Sequence, residues 1–283
     1  MSDPPLTDDD WLGHWVPGAF IMLFSASTTW SALQRFARGA CQGPPCPSPA
    51  HLRGAGVAFV VSMLLCIIQE GSQNQRFFDF SFSMQTFHQV RYALGTPLGL
   101  AMAAEGFGRA REGVHKPWHA LVSATFTVLA AHHIHMFGTE AETAAHAAAT
   151  VIIAIATALM IGACCFAGRP RLHLAAYAAP VSFGVWYVAI GLLIYSPWCV
   201  VPYQSASRAP WTCLLAARQP NHSQGVAVGA AAAVLSTLSA AGCAVAIAMG
   251  WRALVVRKLQ YTGVVVSRTI TTAAEDGLER SQR

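Results

Sequence analysis

The sequence predicts an all-α membrane protein: a bundle of seven transmembrane helices, with its amino terminus outside or in a lumen and its carboxyl terminus in the cytosol. Three observations predict it. Of 283 residues, 54% are hydrophobic and only 11% charged, against about one quarter charged in an ordinary globular protein. Apolar runs of roughly 17 to 25 residues, long enough to cross about 30 Å of hydrocarbon as helices, recur along the chain. Basic residues then concentrate in alternate connecting loops. The formal charge of +5 follows that alternation, so it is no nucleic-acid signal.

The elements follow in order. Residues 1–14 form a short outer segment; Met1 to Asp10 carries Asp3, Asp8, Asp9 and Asp10 and no basic residue. It therefore lacks the positive n-region of a cleavable signal peptide, and the first apolar run is retained as a span. The spans fall near 15–36, 55–70, 85–108, 118–137, 143–167, 174–196 and 225–250, giving one membrane domain over 15–250 and a cytosolic tail over 251–283. The second run is short, and the third contains Pro97 and Arg91. Between spans 1 and 2, Gly39 to Pro49 reads as a Pro/Gly-rich turn, in which Cys41 and Cys46 are expected to stay reduced or to be acylated. Span 7 is built almost wholly of small residues, which let helix backbones approach closely.

Lys and Arg are retained on the cytosolic side. Arg35, Arg38 and Arg53 follow span 1; Arg109, Arg111 and Lys116 follow span 3; Arg169 and Arg171 follow span 5; Arg252, Arg257, Lys258, Arg268, Arg280 and Arg283 follow span 7. The opposite loops hold Arg76, Arg208 and Arg218 and most of the acids, among them Asp79, Glu140 and Glu142. Two further features agree with this direction. Asn221-His222-Ser223 is an N-glycosylation sequon in the outer loop between spans 6 and 7. Cys199 and Cys213 share that loop, where a disulfide is chemically permitted.

The topology separates the histidines into two layers. His51, His115, His119 and His173 flank the cytosolic ends near arginines and read as solvated, headgroup-facing side chains. His14, His88, His132, His133, His135 and His146 fall in the outer half, at the ends of spans 1, 3, 4 and 5, and Glu70 joins them from the end of span 2. Imidazoles with a carboxylate are a common zinc donor set, so this layer is a candidate Zn²⁺ site. Two other readings stand beside it: interfacial side chains that snorkel or bond to loop carbonyls, and a proton-responsive cluster.

Helical phase puts His132 and His135 on one face of span 4 and His133 off it. The short turn Gly138 to Glu142 makes spans 4 and 5 antiparallel neighbours and brings His146 to the level of His132 to His135. Arg91, one turn into span 3, is costly in lipid and is expected to face the bundle with Glu70 as its partner; Glu105, near the cytosolic surface, reads as an interface residue.

Gly13-His14-Trp15-Val16-Pro17-Gly18, followed by an aromatic-rich apolar run, resembles the opening G-H-x-x-P-G of the transmembrane protein 45 family. Trp30, Glu70, His88 with Tyr92, His133-Ile134-His135, and Gly184-Val185-Trp186 with Gly191 are similar to family positions in spans 1, 2, 3, 4 and 6. The resemblance covers most of the bundle, and it implies a seven-helix integral membrane protein of poorly defined biochemical activity, not a known enzyme. The family's histidine in span 7 has no counterpart here, where Ala233 to Ala240 reads AVLSTLSA, and the tail after Lys258 also differs. If that histidine belongs to a polar site, this chain carries a reduced or altered version of it.

Four functions compete. A non-enzymatic membrane protein ranks first, its outer His/Glu cluster binding a metal ion or stabilising the bundle. An intramembrane zinc-dependent hydrolase of lipid amides or esters ranks lower, because hydrolases of that kind generally place paired histidines in the last span. A receptor fits the direction of the amino terminus, but the chain reads GRAREG after span 3 and has no N-P-x-x-Y in span 7. A transporter has few charges beyond Arg91 and Glu105 to line a path. The expected partner is the bilayer of the plasma membrane or endomembrane system, with self-association left open.

Overall fold

The computed structural model describes residues 9–41, 43–74, 84–133 and 140–193, together with residues 231, 234, 235, 237–239, 241, 242, 249 and 250. Every regular element among them is an α-helix: α1 Asp9–Ala37, α2 Pro49–Asn74, α3 Met84–Gly106, α4 His115–His133, α5 Glu140–Cys165, α6 Pro170–Ala178 and α7 Pro180–Leu193. The described residues between 231 and 250 are helical as well. Four stretches are long and apolar enough to cross a membrane: His14–Ala37, Pro49–Gln69, His146–Cys165 and Pro170–Leu192.

Proline and glycine set the boundaries. Pro49, Pro170 and Pro180 each open a helix, at the position where a missing N–H costs nothing and φ is already helical. Ser48 caps α2, its hydroxyl accepting the His51 N–H at 3.2 Å. At the other ends, Gly39 (φ 69°) and Gly108 (φ 70°) take the left-handed conformation that terminates α1 and α3. The following amides reach back five residues, Ala40 N–H to the Arg35 carbonyl at 3.1 Å and Arg109 N–H to the Ala104 carbonyl at 2.8 Å. The sixth run, expected over 174–196, is one apolar stretch from Pro170 interrupted at Ala179, because Pro180 cannot donate the bond that would carry α6 into α7. The second run, short in hydropathy, is a full-length helix because Ser48 and Pro49 start it six residues earlier than the apolar pattern does.

Three pairings dominate the packing: α2 with α3, α1 with α7, and α4 with α5. Helix α5 shows how side chains are distributed. Ala149, Ile153, Ala156, Met160 and Ala163 are buried, spaced alternately by four and three residues along one face. The opposite face is just as apolar and fully outward, with Val151, Ile155 and Ile161 between 45% and 60% exposed. The same outward collar continues in Leu23, Leu65 and Val128, each more than half exposed. Water does not solvate such a surface favourably, whereas hydrocarbon does.

Glycines allow the closest approaches. A Cβ on Gly56 of α2 would sit 2.5 Å from the Ala103 amide nitrogen and 2.6 Å from the Gly99 carbonyl oxygen of α3. A Cβ on Gly184 of α7 would lie 2.7 Å from the Gly18 carbonyl oxygen of α1. Backbone therefore meets backbone at both crossings, and no side chain fits between. Gly54, two residues from Gly56 on the same helix, faces open space. Gly56→Ala is expected to lower stability by about 1–3 kcal/mol through overpacking, while Gly54→Ala is neutral or slightly stabilising. Thermal unfolding of both variants in one detergent checks the contrast.

Candidate functional site

At the end of the bundle where α1, α3, α5 and α7 meet, rings and one cation form a continuous layer. His14 on α1 and His146 on α5 lie edge to face, ring centroids 6.3 Å apart. His14 also rests 5.7 Å from the Tyr187 ring, and His146 stands 5.1 Å from Trp186, both on α7. Arg91 of α3 donates from Nη2 to the Tyr187 hydroxyl. Its guanidinium carbon lies 5.6 to 5.7 Å from the Phe126, Tyr92 and Tyr187 rings. His88 approaches the same group through Tyr92, at 6.5 Å between centroids. A guanidinium among aromatic faces keeps much of the stabilisation it loses on leaving water.

This layer contains part of the expected histidine set. His14 and His146 come together, and His88 reaches the edge of the group. His132 is exposed on α4. Helix α4 includes His133 and α2 runs through Glu70, but those two side chains, like all of His135, Cys199, Cys213 and Asn221, lie outside the described residues. Among the described residues no three His, Cys, Asp or Glu side chains are placed to hold a metal ion. Arg91 bonds to Tyr187, while Glu70, its expected partner, has its side chain outside the described residues.

The opposite end holds a second, more deeply buried constellation. Glu105 ends α3, the Gly108 and Gly113 turns reverse the chain, and His115 opens α4, so ten residues of sequence close into one hairpin. The Glu105 carboxylate accepts the Gly113 N–H at 2.8 Å and the His115 N–H at 3.2 Å, and pairs with His115 Nδ1 at 2.8 Å. His115 Nε2 then meets the Tyr177 hydroxyl of α6, also at 2.8 Å, with the two rings stacked. A proton on Nδ1 serves the carboxylate and leaves Nε2 to accept from Tyr177, which gives a directed chain from tyrosine to imidazole to carboxylate. Lys116 beside it is also buried, and burial pushes its amino group below the usual lysine range, partly offset by the negative groups around it, Glu105 among them.

These contacts correct the expectation for the cytosolic histidines. His115 and His173 are 1% and 2% exposed, not solvated. His51 is half-buried against Thr28 at 3.0 Å, and His119 is half-buried on α4. Glu105, expected at an interface, is likewise buried. Arginines nearby in sequence suggested water; the hairpin instead turns Glu105 and His115 inward, where each satisfies the other. The glycines at 108 and 113 announce the reversal, but nothing local announces Tyr177, which lies sixty-two residues beyond His115.

No family model, curated protein or solved structure matches this chain.

Tyr177→Phe is expected to cost about 1 kcal/mol, one hydrogen bond in an otherwise intact site. His115→Ala is expected to cost about 3–5 kcal/mol, because it strands a buried carboxylate. Unfolding titrations in mixed micelles measure both, and equal losses would show that the contacts act independently of burial.

Proposed function

We propose that this chain is a seven-span integral membrane protein of the transmembrane protein 45 type, amino terminus outside or lumenal and carboxyl terminus cytosolic, whose outer polar layer locks the bundle. One observation carries the reading. Residues scattered over the sequence that resemble family positions, His14, Gly18, His88, Tyr92, Gly184 and Trp186, meet around the Arg91–Tyr187 contact. The helical backbone at the described positions between 231 and 250 supports a seventh span, and the loop arginines support the direction. The site of residence is the plasma membrane or the endomembrane system.

The layer serves as a lock because an arginine in hydrocarbon needs partners on other helices. Arg91 on α3 finds them on α4 and α7, and His14 and His146 bring α1 and α5 onto the same α7 rings. The non-enzymatic reading is thereby favoured over the lipid hydrolase, receptor and transporter readings, none of which uses this ring layer. A second reading keeps the layer as a Zn²⁺ site, favoured by the His14–His146 pair and completed by Glu70, His133 or His135. A fixed guanidinium nearby repels a dication, which ranks this reading second.

Two measurements separate the readings. Arg91→Leu, or Tyr187→Phe with a loss of about 1.5–3 kcal/mol, destabilises the purified protein if the layer is a lock. One equivalent of zinc that disappears in a His14→Ala, His146→Ala double variant would replace the lock with the metal site. Topology is read separately. Asn221→Gln should abolish a glycosidase-sensitive mobility shift, and an epitope at the carboxyl terminus should be reached only after permeabilisation; an epitope reached in intact cells refutes the direction.

A further inference from the structure

The loop between α1 and α2 carries chemistry that the bundle lock does not use. Cys41 and Cys46 bring their sulfurs to 3.1 Å across a loop that holds Pro44, Pro45 and Pro47. Cys46 and the flanking Pro45 and Pro47 are almost fully buried, whereas Cys41 is partly exposed. The Cys46 thiol donates to Glu112 Oε1 at 2.6 Å. Glu112 belongs to the α3–α4 turn and also pairs with Arg35 Nη1 at 3.0 Å. That same Nη1 lies 3.0 Å from Cys46 Sγ and 3.1 Å from the Pro47 carbonyl oxygen. A small cleft of about 110 Å³, lined by Arg35, Glu105 and Glu112 among others, opens beside the group.

We propose that Cys41 and Cys46 are a reversible redox dithiol, oxidised to an intramolecular disulfide by a hydroperoxide, with Glu112 as the base that takes the Cys46 proton. The two thiols, the carboxylate and the guanidinium divide the roles. Cys41 is the accessible sulfur; it gives its proton to water and as the thiolate attacks the terminal peroxide oxygen, the O–O bond breaks, sulfenic acid forms, and the departing hydroxide, or alkoxide from an organic peroxide, takes that proton up and leaves as water or alcohol. Cys46 then passes its proton to Glu112, its sulfur attacks the Cys41 sulfur, the S–S bond forms and the S–O bond breaks. The departing hydroxide takes the proton back from Glu112 and leaves as water. Two thiols lose two electrons in all, and hydrogen peroxide is reduced to two waters.

The sulfurs need to close from 3.1 Å to the roughly 2.05 Å of a disulfide, a movement of about one ångström in a loop stiffened by prolines. Arg35 stabilises the transient Cys46 thiolate. In the resting state burial holds the Cys46 thiol protonated well above the usual thiol range, reinforced by its bond to Glu112, so this sulfur stays inert until its partner is oxidised. Disulfide formation removes the donor from Glu112 and loosens the tie between the first loop and the α3–α4 turn. Reduction by a small thiol restores it.

The test uses the full chain in detergent micelles, treated with one equivalent of hydrogen peroxide, quenched with N-ethylmaleimide and read by peptide mass spectrometry. The expected product is a Cys41–Cys46 crosslink that dithiothreitol reverses, while Cys66, Cys164 and Cys165 remain alkylated. Glu112→Gln should slow the crosslink on the order of a hundredfold and let dimedone trap Cys41 as sulfenic acid. Glu112→Asp, which keeps a carboxylate, should recover most of the rate. The proposal is overturned if Cys41 oxidises to sulfinic acid while Cys46 stays a free thiol, if other cysteines crosslink as fast, or if Glu112→Gln reacts at the parent rate.

Discussion

The end of the bundle that holds His14 and Arg91 depends on how closely α1 and α7 approach. Where Gly18 faces Gly184, any larger side chain would meet backbone. That contact brings His14 within reach of Tyr187, and Tyr187 gives Arg91 an oxygen. The glycines contribute no chemistry of their own. They set the distance at which histidine, tyrosine and arginine become one group.

One rule describes both ends: a charged side chain inside an apolar bundle is completed by a group from another element. Around Arg91 the solution is aromatic, with three rings close to one guanidinium. At the opposite end it is a hydrogen-bonded series in which Glu105 accepts from two backbone amides and pairs with an imidazole. The first loop is stitched similarly, Ser31 and Ser48 exchanging bonds across α1 and α2 while Arg35 spans the loop and the α3–α4 turn. Apolar packing holds the helices together, and these polar ties set their register.

Much of this was legible in sequence and some was not, for physical reasons. Among the described residues helix positions followed from apolar length, and starts shifted where Pro49 and Pro170 open helices independently of hydropathy and where α1 begins at Asp9, ahead of its apolar run. His14 and His146, expected at one depth, do come together, since depth follows from position along a span. Their partners did not follow, because Arg91 meets Tyr187 across ninety-six residues. Around Glu105 the charge rule pointed toward solvent, whereas His115 turns inward. A rule about which side of a membrane a residue occupies says nothing about which way its side chain faces.

The pairing of α1 with α7 also has a consequence in time. Helices α2 with α3, and α4 with α5, are joined by short connections and can pair as soon as each hairpin is made. Helix α1 cannot, because the surface that receives Gly18 is more than 160 residues away. At roughly 5–20 residues per second, the ribosome needs on the order of ten seconds or more to supply it. Throughout that interval the first helix has its Gly18 face uncovered, and the Tyr187 ring is not yet there to meet His14. Assembly closes like a clasp, with the earliest segment waiting for one of the latest.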